Sequence, residues 1–93
     1  MTALPVATAI RLMIVDDHPL VGQGLASLLE READLAVVGL AASLEDAAAL
    51  LAAEPPPDVL LLDVRLGEQS GLDLLPRIRG AATAVIVLTA YDH

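Results

Sequence analysis

A chain of 93 residues, 56% of them apolar and with a formal net charge of −8, has room for one small core and lacks the cationic surface that neutralises nucleic-acid phosphates. It contains no cysteine, which excludes disulfides and thiolate metal sites and suits a reducing, cytoplasmic setting. Arg11, Asp16 and Asp17 interrupt the amino-terminal apolar run, so no stretch reaches the ~18 uninterrupted apolar residues of a membrane span.

Tyr91 is the only aromatic residue, so the core must be built from Leu, Val, Ile and Ala. Residues 10–15, Ile-Arg-Leu-Met-Ile-Val, read as a buried strand that stops at two acids. Pro19 suits the first turn of a helix running to about Arg31, and Val21, Leu25, Leu28 and Leu29 mark its expected inner face. Residues 35–41 read as a second strand. Ser43 with Asp46 three positions later resembles a capping box, opening a helix with Leu44, Ala48 and Leu51 on its inner face. Pro55, Pro56 and Pro57 must end that helix, because proline has no amide hydrogen and clashes with the preceding turn. Val59 to Leu62 is the third strand and residues 64–70 are loop-like. A helix from about Leu72 to Arg79 closes at Gly80, with Pro76 tolerated if it starts late, and Ala84 to Leu88 is the fourth strand.

The order β-α-β-α-β-α-β with short links predicts one α/β domain over 1–93, a doubly wound parallel sheet with helices on both faces. In such sheets ligands bind beyond the carboxyl ends of the strands. Asp16 and Asp17 end the first strand, Asp63 the third and Thr89 the fourth. Three converging carboxylates repel unless something neutralises them, and oxygen ligands with open positions suit Mg²⁺. A carboxylate can also carry a covalent phosphoryl group.

Met13-Ile-Val-Asp-Asp-His-Pro19, Val59-Leu-Leu-Leu-Asp63-Val-Arg-Leu66, Ser70-Gly71 and Val87-Leu-Thr89-Ala90 resemble the receiver domains of bacterial response regulators in two-component systems. Asp16-Asp-His-Pro-Leu-Val21 and Val37-Val-Gly-Leu-Ala41 resemble the NarL/FixJ subfamily. The resemblance implies a flavodoxin-like fold of strand order 2-1-3-4, with a fifth strand absent from this chain. It implies that Asp63 accepts a phosphoryl group from a sensor histidine kinase in a reaction the domain itself catalyses, so that the protein is a switch rather than an enzyme. Asp17 would ligate Mg²⁺ directly, Asp16 through water, Asp63 with its carboxylate and Arg65 with its backbone carbonyl. Thr89 would close onto the phosphoryl group. The implied partners are the kinase, a second copy in a homodimer, and DNA bound for transcriptional control only through a segment outside this chain.

Two departures from the family pattern stand out. Gly67 occupies a position where the family usually has proline, which predicts a looser loop. The sequence contains no lysine, whereas receivers carry one before their fifth strand to pair with the phosphoryl group. The alternative is therefore a pseudo-receiver, an interaction module that does not take up phosphate. A chain ending after the fourth strand is also expected to be incomplete as a folding unit, with Ala84 to Ala90 an apolar edge prone to pairing with another chain.

Blander roles compete at individual positions. Asp16 and Asp17 could cap the first helix, Asp63 could be an ordinary solvated acid, and Thr89 is common in strands. His18 reads as local structure ahead of Pro19, with a ligand role as the less favoured alternative. Gly22-Gln-Gly24 lies inside a helical pattern and is rejected as a dinucleotide-binding turn. A haloacid-dehalogenase-type phosphotransferase would need a second acid where Arg65 stands.

Overall fold

Residues 9–53, 55–78 and 83–88 are described by the structure, a computed structural model. In chain order they form β1 (Ile10–Val15), α1 (Pro19–Leu29), β2 (Leu35–Ala41), α2 (Leu44–Ala52), β3 (Val59–Asp63), a two-residue strand β4 (Arg65–Leu66) and its partner β5 (Gln69–Ser70). A 3₁₀ turn (Gly71–Leu74), α3 (Leu75–Ile78) and β6 (Ala84–Leu88) follow. The main sheet is wholly parallel in the order β2-β1-β3-β6. This is the expected 2-1-3-4 order once the β4–β5 hairpin is set aside, and it is the flavodoxin-like arrangement.

Central strands in a sheet covered on both faces need apolar residues at every position. Leu12, Met13, Ile14 and Val15 are all buried in β1, and Leu60 and Leu62 in β3. Met13, Val15, Leu60 and Leu62 pack with Ala47 of α2, Leu74 and Ile78 into one cluster, and Leu44, Ala48, Leu51 and Val85 close its edge. The strand alternation sends Leu12 and Ile14 to the opposite face, where α1 lies. Two neighbouring residues of β2 show the same division: Gly39 faces Leu50 of α2, and Leu40 faces Gly22 of α1.

On α1 the inward stripe is rotated from the one expected. Val21 and Leu28 are 55% and 60% exposed, whereas Gly22 is buried and Leu25, Ala26 and Leu29 are partly buried. Gly22, Leu25, Ala26 and Leu29 recur at i, i+3, i+4 and i+7, an equally regular helical face. The helix approaches β2 where its residue is smallest, and hydrophobicity gives no signal of that.

α2 matches its expectation. Ser43 Oγ accepts the Asp46 N–H at 3.1 Å, and the helix ends at Ala52, with Ala53 already extended ahead of the prolines. Ser43→Ala is expected to cost about 1 kcal/mol of stability by removing this cap. Urea denaturation checks it, and an unchanged midpoint would mean that the bond contributes nothing. The third helical segment departs further, opening as a 3₁₀ turn at Gly71, with Ser70 Oγ accepting the Leu72 N–H at 3.2 Å. Pro76 is the second residue of α3, where its missing N–H leaves no gap. The expected end at Arg79 and Gly80 lies outside the described residues.

The three prolines also hold the amino-terminal end of the sheet. Arg11 Nη1 donates to the carbonyls of Pro55 at 3.1 Å and Pro56 at 2.6 Å, and Thr83 Oγ1 donates to that of Pro57 at 2.7 Å. Asp58 receives the Arg11 N–H on Oδ2 at 2.9 Å and returns its own N–H to the Arg11 carbonyl at 2.9 Å. The starts of β1, β3 and β6 are thereby tied together. Among the described residues no helix is long and apolar enough to cross a membrane.

Candidate functional site

Parallel pairing of Val15 with Leu62 brings the carboxyl ends of β1 and β3 level, so Asp16 and Asp63 emerge side by side. The Asp16 N–H stays bonded to the Ala41 carbonyl at 2.9 Å, which carries the β1–β2 ladder one residue further and fixes where the chain leaves the sheet. The side chains of Asp16 and Asp63 are only 8% and 5% exposed, and that of Asp17 is 25% exposed. Asp63 Oδ1 accepts the Arg65 N–H at 3.2 Å. Neither acid of the first pair caps α1, whose N-cap is His18.

His18 takes a larger part than the sequence suggested. Its N–H donates to Asp16 Oδ1 at 2.8 Å, and its ring Nδ1 lies 3.0 Å from Asp16 Oδ1, 3.0 Å from Asp17 Oδ1 and 3.9 Å from Asp63 Oδ2. Of these contacts only that to Asp16 Oδ1 has the direction of a hydrogen bond. Asp17 Oδ1 is thus buried with no hydrogen bond despite its short distance to the ring. The hydrogen bond to Asp16 holds the His18 imidazole above its ordinary pKa, with the charge of Asp17 next in weight and those of Asp16 and Asp63 adding to it.

Residues 64–70 form a hairpin rather than an open loop: Arg65 pairs with Ser70 and Leu66 with Gln69. Gly67 opens its two-residue turn at φ +62°, a conformation closed to proline, and its N–H donates to Asp17 Oδ2 at 2.6 Å. Proline could supply neither the angle nor the donor, so this glycine ties the turn to the acid rim where a looser loop was expected. Gly71 is equally specific to its place. It is buried directly against the backbone carbonyl of Asp63, where a Cβ would overlap that oxygen, and its N–H donates to the Val64 carbonyl at 2.6 Å. The hairpin therefore leaves β3 and returns onto it within eight residues, holding Asp63 from behind.

One ligand atom from each of Asp16, Asp17, His18 and Asp63 lies within 4.8 Å of every other. A hard cation with oxygen ligands, such as Mg²⁺, fits this donor set, and the buried unpaired oxygen of Asp17 is the kind of group such an ion satisfies. Arg65, at the start of β4, has its backbone against Asp63. Thr89 lies outside the described residues; the residue before it, Leu88, pairs with Asp63 across β3 and β6. A groove of about 370 Å³ between α2 and α3, lined in part by Glu45, Asp73 and Arg77, shares no residue with the acid rim.

Residues 12–93 match the family model described as the response regulator receiver domain. The chain belongs to that family. Among curated relatives, the receiver domain is 41% identical over 92 residues to the nitrate/nitrite response regulator protein NarP of Escherichia coli, spanning 96% of this chain and 42% of NarP. It is 38% identical over 84 residues to the DNA-binding transcriptional activator DevR/DosR of Mycobacterium tuberculosis, spanning 88% of this chain and 38% of that protein. The chain thus spans less than half the length of these relatives, which agree with the NarL/FixJ resemblance. The receiver domain also superposes with a TM-score of 0.77 on a Burkholderia pseudomallei response regulator crystallised with a phosphorylated aspartic acid, a calcium ion and citrate. That pair shares 31% identity over 88% of this chain and 48% of the other.

Asp16, Asp17 and Asp63 are brought together as the strand-end argument required. Two contributors carry more than the sequence gives them. His18, whose local reading outweighs its ligand reading in sequence, has its ring against the acids. Gly67 carried its signal only as a departure from proline, and its partner Asp17 is 50 residues away.

Proposed function

We propose that this receiver domain is a phosphorylation switch in which Asp63 takes a phosphoryl group from a histidine kinase. The observation that carries this reading is that buried Asp63, the last residue of β3, stands against Asp16 and Asp17. The similarity to a response regulator that carries a phosphorylated aspartic acid and a cation supports it. Asp16, Asp17 and Asp63, with the Arg65 backbone carbonyl, would hold Mg²⁺. When bound, that ion supplies positive charge for the acid rim and for the phosphoryl oxygens.

The Arg65 N–H fixes Asp63 Oδ1, so the carboxylate is positioned before the donor arrives. A carboxylate oxygen of Asp63 forms the new O–P bond as the N–P bond of the donor phosphohistidine breaks. The electron pair stays on that nitrogen, which takes up a proton. Thr89 then follows the new charge and β6 shifts with it, altering the surface offered to partners. A cytoplasmic homodimer acting on DNA through a separate output segment completes this reading. The pseudo-receiver alternative draws no support from the assembled acid rim.

Incubation with acetyl phosphate and Mg²⁺ is expected to add one phosphoryl group, read as intact mass. No mass gain with that donor or with a phosphorylated kinase would sink the proposal. Mg²⁺ is also expected to stabilise the fold, by ~2.7 kcal/mol at a hundred times its Kd. Asp17→Ala is expected to abolish that gain in thermal melting, whereas Asp46→Ala, on α2, leaves it intact. Equal gains in both variants would move the ion elsewhere.

A further inference from the structure

The established family role of the acid rim leaves one nearby side chain without a task. His18 is 61% exposed, yet its Nδ1 edge lies against the rim, and its own N–H bond to Asp16 fixes the backbone that carries it. Nδ1 stands 3.0 Å from one oxygen each of Asp16 and Asp17 and 3.9 Å from one of Asp63. Ligands bonded at ~2.1 Å to a six-coordinate ion lie ~3.0 Å apart when adjacent and ~4.2 Å apart when opposite. The Nδ1 distances suit one coordination sphere, and the four ligand atoms as a set lie within 4.8 Å of one another, so the widest pair must draw in slightly to share one ion.

We infer that His18 is a fourth protein ligand at this site, through Nδ1, and that it tilts the site toward borderline transition ions such as Co²⁺ and Zn²⁺. The inference rests on the reading of the acid rim as a divalent-cation site. Three carboxylates alone favour hard ions; an imidazole nitrogen adds much to the binding of Co²⁺ or Zn²⁺ and little to that of Mg²⁺. Binding puts the metal on Nδ1 in place of its hydrogen, which passes to solvent from the cationic ring or moves to Nε2 in the neutral one, so that the bound ring is neutral and carries Nε2–H. Asp17 Oδ1, buried and without a hydrogen bond, gains a partner in the same event. Because His18 is the N-cap of α1, an ion held this way joins β1, β3 and the start of α1.

The test is calorimetric titration of the purified protein with Mg²⁺, Mn²⁺, Co²⁺ and Zn²⁺ at one pH, alongside His18→Ala, His18→Gln and Asp17→Asn. His18→Ala is expected to lose about ten-fold or more in Zn²⁺ and Co²⁺ affinity while Mg²⁺ affinity stays within about two-fold. Paramagnetically shifted imidazole resonances of the Co²⁺ form are expected in the wild type and absent from both His18 variants. Asp17→Asn is expected to weaken every ion. If the wild type binds Mg²⁺ but the Zn²⁺ to Mg²⁺ ratio is unchanged in His18→Ala, the inference is overturned and the acid-rim reading stands. If no divalent ion binds the wild type, both fall.

Discussion

Asp63→Asn is expected to remove all phosphoryl incorporation from acetyl phosphate or from a kinase while leaving the fold intact. Asparagine has the shape of aspartate and keeps a carbonyl oxygen that can accept the Arg65 N–H, now made at 3.2 Å. It loses the nucleophilic carboxylate and one of the three charges that attract a cation. The variant is therefore expected to melt cooperatively and to lose most of the gain in Tm that Mg²⁺ confers. Intact mass and thermal melting of the same sample decide between outcomes. Continued incorporation into folded Asp63→Asn would place the acceptor elsewhere. Loss of incorporation together with loss of the melting transition would leave the role of Asp63 to be decided by Asp63→Glu, which keeps a carboxylate but displaces it.

Gly71→Ala is expected to destabilise the domain by about 1–3 kcal/mol, an overpacking cost. The added Cβ would overlap the Asp63 carbonyl oxygen and lie 3.1 Å from Leu62 Cδ1. The first obstacle is backbone in a central strand, so no rotamer change relieves it; either β3 or the 3₁₀ turn must move. Because the displaced carbonyl belongs to Asp63, the phosphoacceptor moves as well. Urea denaturation is expected to show a lower midpoint, and phosphorylation of the folded fraction to slow. Wild-type stability would show that the turn can give way without cost, and the close packing described at Gly71 would then be wrong.

The parts of this molecule legible in its sequence are those in which one residue type can satisfy a local requirement. β1 and β3 are buried on both faces, so they read as unbroken apolar runs, and an acid directly after such a run marks the strand end. Ser43 and Asp46 announce the start of α2 because a cap needs a hydroxyl beside orphan N–H groups. The face of α1 was misplaced because burial there falls on Gly22, selected for smallness by the approach of Leu40 from β2. The β4–β5 hairpin escaped notice because strands of two residues have no period. His18 is only partly legible: its contacts to Asp16 and Asp17 are local in sequence, but the parallel pairing that carries Asp63 to within 3.9 Å of its ring is not.

The proline-rich end of the sheet bears on the unfolded chain as well. Three successive prolines have their φ angles fixed before folding begins, so this segment surrenders less conformational freedom than any other tripeptide would on folding. It cannot donate, and its three carbonyls therefore serve only as acceptors for Arg11, 44 and 45 residues earlier, and Thr83, 26 residues later. Parallel strands have no tight turn to set their register, and closing such long loops is the slow, entropically costly part of their assembly. A run of acceptors whose backbone is already restricted lowers that cost at the point where β1, β3 and β6 must find one another.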